Sequence, residues 1–154
     1  MTRAVEIVNA FMQALEAKEF TRAANYLSDS MLLIGFTPKP LSKKQFIDVI
    51  SELAEGFPNL AYNFHGVEEI AETMEGTRVR GAIQITGTQV NSFQLPPLGI
   101  SPIPQMAGSI SLPEENWEYR IEDNVIASIR VDSKPGGGVE GLLNQLGIKA
   151  PIIQ

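Results

Sequence analysis

The sequence contains no cysteine and only one histidine, His65, among its 154 residues. The absence of cysteine excludes disulfide bonds, thiolate nucleophiles and metal sites built on thiolate ligands. A single histidine cannot form a histidine-rich metal site, so we expect neither a metal ion nor an organic cofactor. Any chemistry then depends on carboxylates, amides, guanidinium groups and phenols.

The sequence also lacks a cluster of basic residues. Its 12 lysines and arginines stand against 18 aspartates and glutamates, which gives a formal net charge of −6. Proteins that bind nucleic acid need a basic surface to displace the counterions of the phosphates. We therefore expect no nucleic-acid partner.

Long hydrophobic runs are missing as well. The apolar run at 31–34 is far too short to span a bilayer, and the first residues contain no apolar segment of the signal-peptide kind. We therefore expect a cytoplasmic protein with no membrane partner. Hydrophobic residues make up 44% of the chain, enough to build a core, and we expect a single domain over residues 1–154.

Apolar residues recurring every three to four positions after Thr2 predict an N-terminal helix, with Thr2 as its N-cap. A second short helix and a buried strand follow. Ser42 and Gln45 then form a capping box, in which each side chain accepts from a free backbone N–H at the start of a third helix. That helix is predicted to end at Gly56, and a last short helix follows the glycine run 136–138.

Two pairs of extended segments follow the third helix. Segments 62–73 and 77–89 are predicted to pair around Glu75-Gly76, and segments 109–122 and 125–132 around Asp123-Asn124. The intervening stretch 90–106 holds four prolines, which cannot donate to a sheet, so it is predicted to be a long loop. Helices followed by an antiparallel sheet indicate an α+β fold.

A two-residue turn at Asp123-Asn124 predicts which side chains of the second hairpin share a face. With Trp117 opposite Arg130, and with side chains alternating along each strand, one face carries Trp117, Tyr119, Ile121, Ile126, Ser128, Arg130 and Asp132. Aromatic residues mixed with a few polar groups are typical of a ligand pocket. The same alternation in the first hairpin places Tyr62, Glu68 and Gln89 inside and His65 outside.

The opposite face of the second hairpin is predicted to show Val125, Ala127, Ile129 and Val131. An exposed apolar strip of this kind usually marks an interface, so we expect a homodimer packed through the outer sheet. The apolar residues of the long loop need cover, and segment 93–100 is expected to fold over the pocket or onto a neighbouring subunit.

Two stretches of the sequence resemble the SnoaL-like polyketide cyclases, a family within the nuclear-transport-factor-2-like superfamily. They are Ile85-Thr86-Gly87-Thr88-Gln89, and Val131-Asp132 followed by Gly141-Leu142-Leu143-Asn144-Gln145-Leu146-Gly147. The order of helices and strands is similar too. The resemblance implies a conical barrel, in which a curved antiparallel sheet encloses a pocket and the N-terminal helices pack on its concave face.

The resemblance also implies roles for individual residues. In the cyclases of this family, an aspartate at the end of the last strand is the acid/base of an intramolecular aldol ring closure, and Asp132 occupies the matching place. Family members commonly have a histidine where this chain has Gln89, which can hydrogen-bond a carbonyl but cannot exchange protons at neutral pH. Asp132 is thus the expected catalytic residue, and the expected substrate-binding residues are Gln89, Trp117, Tyr119, Arg130 and Tyr62.

Each of these residues has a structural alternative. Asp132 would serve equally as a strand-end ion pair or as a cap for the next turn, and Arg130 would either stack on Trp117 or bind an acidic group of a substrate. A lone histidine such as His65 is more often a packing residue than a catalytic one.

The leading hypothesis is a protein with a pocket for a small hydrophobic molecule, acting as a cofactor-independent cyclase or isomerase that abstracts a proton next to a carbonyl. A non-catalytic ligand-binding or interaction module of the same fold is the main alternative. An epoxide hydrolase is less favoured, because that chemistry uses two aspartates around an arginine and only Asp132 with Arg130 is evident.

Overall fold

Four helices and eight strands make up the described part of the chain. A computed structural model describes residues 2–99, 102–106 and 108–148. In chain order the elements are α1 Arg3–Glu16, α2 Phe20–Asn25, β1 Leu27–Ile34, β2 Leu41–Ser42, α3 Lys43–Gly56, β3 His65–Thr73, β4 Gly76–Ile83, β5 Thr86–Thr88, a 3₁₀ turn Pro96–Leu98, β6 Ser109–Ser111, β7 Glu115–Glu122, β8 Val125–Val131 and α4 Gly138–Gln145. None of the described helices is long and apolar enough to cross a membrane.

Six strands form one curved sheet in the order β2-β1-β8-β7-β4-β3, and β5 pairs with β6 in a separate two-stranded ribbon. The main sheet is open rather than a closed barrel, since β2 and β3 lie at its two edges. Neighbouring strands run antiparallel except for β1 and β8, which are parallel. The predicted α+β fold with a curved sheet is therefore confirmed, although the sheet is mixed at this one pair.

The N-terminal helices pack on the concave side of the sheet, as expected. The ring of Phe11 in α1 lies 6.3 Å from that of Phe46 in α3 and 6.5 Å from that of Tyr119 in β7. The capping box is confirmed, because the Ser42 hydroxyl accepts from the Gln45 N–H and the Gln45 side chain accepts from the Ser42 N–H. Local signals in the sequence thus place the helices that close the concave side.

The β7–β8 hairpin follows the predicted pairing only near its turn. Asp123 and Asn124 have φ values of 53° and 64°, and Glu122 lies opposite Val125, as the two-residue turn requires. The register then shifts by one residue, because Ala127 of β8 has no partner of its own. Beyond this bulge the partners are Trp117 with Val131, Glu118 with Arg130, Tyr119 with Ile129 and Arg120 with Ser128.

The bulge exchanges the two faces of the outer half of β8, so the predicted register is wrong there. Ile129 and Val131 are 0% and 4% exposed and belong to the core, whereas Arg130 lies on the convex face with Glu118. Two residues of the apolar strip proposed as a dimer interface, Ile129 and Val131, are therefore in the core, and the other two, Val125 and Ala127, are half-buried. The homodimer itself stays a prediction, without this basis.

The β3–β4 hairpin turns one residue earlier than predicted, at Met74 and Glu75. Gly76 opens β4 with a φ of 121°, a conformation that suits glycine. Two irregularities in β3 then shift its register, and Glu68 pairs with Arg80 on the convex side rather than inside. His65 is exposed, as predicted.

The long loop packs into the core beside α3. Its apolar residues Phe93, Leu95, Leu98 and Ile103 are buried, and the Phe93 ring lies 5.5 Å from that of Phe57. Phe93 and Ile103 exchange two backbone hydrogen bonds, of 3.0 and 2.8 Å, which join the two sides of the loop. The part of the predicted lid at Ile100 lies outside the described residues.

Candidate functional site

The predicted aromatic wall of the pocket is part of the packed core. Trp117, Tyr119 and Tyr62 are 1%, 1% and 2% exposed. The Trp117 ring meets the Phe36 ring edge-on at 5.9 Å, and the Tyr119 hydroxyl donates to the Met12 sulfur at 3.3 Å. Burial raises the pKa of both Tyr62 and Tyr119 well above the ordinary value, so these phenols stay neutral.

Gln89 is buried too, but its side chain is fully occupied by the long loop. Its amide nitrogen donates to the carbonyls of Asn91 (3.1 Å) and Pro104 (2.8 Å), and its oxygen accepts from the Met106 N–H at 2.9 Å. Both amide protons and the oxygen therefore bind backbone within the chain. Gln89 holds the two ends of the loop together and has no proton left to donate to a substrate carbonyl.

Glu115 is a buried carboxylate that our sequence analysis did not single out. Its Oε2 accepts from the Lys134 N–H at 2.8 Å. The carboxylate also lies close to Gly137: a Cβ atom at that position would be 2.4 Å from the same oxygen, so a side chain there would force the carboxylate to move. Burial raises the pKa of Glu115, while hydrogen bonds from Lys134 and Gly138 at the start of α4 oppose the increase. Alternation in β7 from Trp117 back to Glu115 would have placed this residue inside.

The buried polar side chains of the interior are held by hydrogen bonds within the chain. Those of the described ranges are Thr37, Gln89 and Glu115. The Thr37 hydroxyl donates to the Lys39 carbonyl, and the other two bind loop backbone as given above. No buried side-chain nitrogen or oxygen of the described chain lacks a partner. Glu115 is the one ionisable group among these three residues.

Two of the predicted site residues, Arg130 and Asp132, lie instead in a groove on the convex face of the sheet, the outer groove. It has a volume of about 530 Å³ and is lined by Ile34, Gly35, Arg80, Asn116, Glu118, Arg130, Val131 and Asp132. This volume is within the range of small-molecule sites. The structure brings Arg130 and Asp132 together here, on the opposite face from Trp117, so the alternative in which Arg130 stacks on Trp117 is excluded.

Some arginines around the outer groove form ion pairs within the chain, and one does not. Arg80 donates to Glu68 at 2.9 Å, and Arg78 makes two bonds to the Glu118 carboxylate, of 3.2 and 2.7 Å. These hydrogen bonds to Glu118 raise the pKa of Arg78. Within the described residues, Arg130 has no acidic group within 4.0 Å.

Asp132 is exposed, and its carboxylate accepts no hydrogen bond from the described part of the chain. Among the described residues, the groove therefore offers one unpaired guanidinium, that of Arg130 in β8, and one unpaired carboxylate, that of Asp132 just after the strand.

His65 lies away from this groove. Its Nδ1 is 2.8 Å from the Asn63 carbonyl oxygen, and its Nε2 is 3.0 Å from the Glu114 carboxylate, so the ring connects the start of β3 to the segment before β7. Across the described ranges, no three acidic or histidine side chains are grouped so as to hold a metal ion.

Solved structures similar to this one cover almost the whole chain at low sequence identity. One is a "putative SnoaL-like polyketide cyclase" from Jannaschia, at 16% identity, with 97% of this chain and 94% of that chain covered and a TM-score of 0.69. Another is a "putative polyketide cyclase" from Xanthomonas campestris, at 13% identity, with 94% and 96% covered and a TM-score of 0.66.

A third neighbour carries no activity in its description. It is a nuclear-transport-factor-2-like protein of unknown function from Cytophaga hutchinsonii, at 15% identity, with 88% and 92% covered and a TM-score of 0.57. No model of a known protein family matches the sequence, and no curated protein matches it significantly. At these identities the likenesses show a shared fold and leave the activity open.

Replacing Gln89 with leucine should destabilise the protein without opening a binding site. The change keeps the approximate side-chain size but leaves the Met106 N–H and two carbonyls without their partner. We expect the free energy of unfolding to fall by about 1–3 kcal/mol, measured by urea denaturation. Gln94→Leu, at an exposed position of the same loop, is the matched control and should stay close to wild type. Equal stability of the two variants would show that Gln89 does not hold the loop.

Glu115 should make stability depend on pH. A carboxyl whose pKa is raised by folding binds its proton more readily in the native state, so its contribution is fully present below the usual pKa of 4.5 and is lost as pH rises through the raised value. Glu115→Gln stays uncharged and should remove this part of the pH dependence.

The measurement is urea denaturation of both proteins at a series of pH values. The stability of wild type relative to Glu115→Gln should fall as the pH rises from 4.5, whereas Glu140→Gln, at an exposed position of α4, should follow wild type. A relative gain for wild type over this range would mean that the hydrogen bonds to the carboxylate outweigh its desolvation.

Proposed function

We propose that this chain, which has the nuclear-transport-factor-2-like fold of the SnoaL-like proteins, is a non-catalytic binding module. Its binding surface is the outer groove, and it recognises a carboxylate through Arg130. The observation that carries the proposal is the Arg130 guanidinium, which has no acidic partner among the described residues and lies in a groove of about 530 Å³. Behind it, every described buried polar side chain has a hydrogen-bond partner.

Arg130 suits a carboxylate because of its shape as well as its charge. A guanidinium presents parallel N–H groups that match both carboxylate oxygens, and such paired bonds are among the strongest polar contacts in proteins. Arg80 and Arg78 are already paired with Glu68 and Glu118, whereas Arg130 lacks an acidic partner among the described residues. A carboxylate that reaches Arg130 displaces no existing ion pair.

The rest of the groove is mostly polar. Five of its eight lining residues are polar or charged, and the Val131 side chain is buried in the core, so Ile34 is the main apolar side chain beside Arg130. Asn116 supplies an amide that donates or accepts hydrogen bonds. The groove therefore suits a small molecule with an acidic group and a limited apolar part.

The binding proposal is favoured over catalysis by the surroundings of Asp132. Proton abstraction next to a carbonyl benefits from a dry site, where burial makes a carboxylate more basic. Asp132 is exposed on the convex side, and the aromatic residues expected around it lie in the core behind the sheet. The groove supplies no apolar enclosure for the base.

A cofactor-independent cyclase or isomerase is the second candidate. Two observations favour it: the carboxylate of Asp132 is free and lines the groove beside Arg130 and Asn116, and two similar structures are described as putative polyketide cyclases. In this mechanism Asp132 would take the α-proton of a ketone, and Arg130 would stabilise the enolate oxygen. An epoxide hydrolase would need a second aspartate, and Asp132 is the one aspartate among the described residues that line the groove.

Benzoate should bind at the outer groove of the wild-type protein. Titration followed by ¹H–¹⁵N NMR should shift the backbone signals of Gly35, Asn116 and Arg130. Arg130→Gln should abolish these shifts, because glutamine keeps polar atoms but lacks the charge and the paired donors. Arg22→Gln, which removes an arginine of α2 far from the groove lining, should bind as wild type does. Shifts confined to residues outside the groove would contradict the proposed site.

Enolisation of a ketone provides the test between binding and catalysis. In deuterated buffer, a base that removes the α-proton of 2-tetralone lets the enolate take a deuteron from solvent, which NMR detects as loss of the α-proton signal. The binding proposal predicts no acceleration over buffer alone. Acceleration that falls by about 10²–10⁴-fold in Asp132→Asn would instead establish Asp132 as a general base and overturn the proposal.

A further inference from the structure

The end of the last strand carries two opposite charges that do not pair with each other. Arg130 lies in β8, Asp132 follows directly after that strand, and both line the outer groove. Within the described residues, neither side chain forms an ion pair with the other or with a third residue. The groove therefore offers a positive site and a negative site at the same time.

Pairing with β7 places both charges on the same face of the sheet. Glu118 lies opposite Arg130. The Asp132 N–H donates to the Asn116 carbonyl at 2.9 Å, so the antiparallel pairing continues one residue beyond the end of β8. Residues two positions apart in an extended chain point to the same side, and their Cα atoms lie about 7 Å apart. The two charges are thus one short step apart along the groove.

The neighbouring carboxylate of the groove, that of Glu118, is already bound. It accepts two hydrogen bonds from Arg78, of 3.2 and 2.7 Å. An ammonium group that approached Glu118 would have to compete with this guanidinium, whereas at Asp132 it would meet no competing partner among the described residues. Asp132 is also exposed, so a ligand can reach it. Asp132 is therefore the carboxylate of the groove that suits a ligand cation.

We infer that the outer groove selects ligands that carry both a carboxylate and an ammonium group, with Arg130 binding the first and Asp132 the second. The inference rests on the proposed function, because Arg130 keeps its role as the carboxylate site. It adds a second site, and the two sites together define the class of ligand. That class is the ω-amino acids, in which a short apolar chain separates the two charged ends.

Asp132 makes the groove less favourable for a simple anion. The step of about 7 Å between Arg130 and Asp132 is shorter than the Debye length of about 8–10 Å in dilute salt, so a carboxylate bound at Arg130 is repelled by Asp132. An ammonium group at the other end of the same ligand replaces this repulsion with an attraction. Attraction for one ligand combined with repulsion of its rival is a general source of specificity.

The spacing of the two sites sets the length of the ligand. In an extended 5-aminopentanoate, the carboxyl carbon and the nitrogen are about as far apart as two strand residues on the same face, which is about 7 Å. Free glycine is too short to reach both sites. Ile34 of β1 lies opposite Arg130 and lines the groove, so it supplies apolar surface for the linking chain.

Titration of the wild-type protein tests the inference without any substitution. Dissociation constants of 5-aminopentanoate, pentanoate and glycine are measured by ¹H–¹⁵N NMR from the backbone signals of Arg130 and Asp132. 5-Aminopentanoate should bind about two- to fivefold more tightly than pentanoate, which is the size of effect expected for an exposed ion pair. Pentanoate or glycine that binds as tightly as 5-aminopentanoate would overturn the inference.

Asp132→Asn gives the sharper test, because it should change two affinities in opposite directions. Asparagine keeps the size of the side chain but removes its charge. 5-Aminopentanoate loses an attraction and should bind about two- to fivefold more weakly, whereas pentanoate loses a repulsion and should bind more tightly. A purely structural role of Asp132 would weaken both ligands. Unchanged affinities, or affinities that change in the same direction, would contradict the ammonium site.

Asp123→Asn is the matched control. Asp123 is exposed in the turn at the other end of the same hairpin, with a φ of 53° that asparagine tolerates. The variant removes the same charge from the protein without touching the lining of the groove. Both dissociation constants should therefore equal those of wild type.

The outcome is separable from that of the proposed function. If benzoate binds at Arg130 but 5-aminopentanoate binds no more tightly than pentanoate, the carboxylate site stands and the ammonium site at Asp132 fails. If benzoate, pentanoate and 5-aminopentanoate all leave the signals of the groove unchanged, both proposals fail.

Discussion

One extra residue in β8, Ala127, determines which side chains of that strand reach the core and which reach solvent. Side chains alternate strictly along a strand, so a single unpaired residue reverses the face of every position beyond it. Ile129 and Val131 complete the core behind Trp117 and Tyr119, and Arg130 joins Glu118 on the convex side. The outer groove and its charges exist because of this shift.

Because of the same shift, the predicted aromatic residues and the predicted charged residues lie on opposite faces of the sheet. Inside, burial removes Gln89 and Glu115 from water, which costs free energy. Hydrogen bonds to backbone groups of the loops, which have no partner in a helix or strand, offset this cost. Outside, Arg130 and Asp132 have no ion-pair or hydrogen-bond partner for their side chains among the described residues. The fold is shared with solved proteins described as putative cyclases, and in this chain the expected pocket aromatics are packed in the core while the charged groove lies on the other side of the sheet.

Much of this architecture follows from local sequence signals. The capping box at Ser42 and Gln45 and the Asp123-Asn124 turn involve residues a few positions apart, and their geometry depends on little else. The turn also predicts the correct partners as far as Ile126. Beyond it, Ser128 to Val131 alternate polar and apolar, and the apolar positions change parity between Ile126 and Ile129. This pattern is compatible with an extra residue in the strand, but no residue type marks Ala127 as the bulge.

The roles of Gln89 and Glu115 were hidden for a different reason. Apart from Asn91, the partners of Gln89 lie 15 and 17 residues away, at Pro104 and Met106, and Lys134 lies 19 residues from Glu115. These segments have no periodic pattern. A glutamine before a proline-rich loop is equally compatible with binding a substrate and with holding the loop. Only the folded arrangement distinguishes the two, because it shows that every hydrogen-bonding atom of the amide is already used.

The register of the β7–β8 hairpin is the point on which the account depends most, and NMR measures it directly. Cross-strand nuclear Overhauser contacts in the wild-type protein should join Trp117 to Val131 and Tyr119 to Ile129. Contacts that join Trp117 to Arg130 and Tyr119 to Ser128 would contradict the account, because Arg130 would then lie on the inner face and the outer groove would lose its free guanidinium.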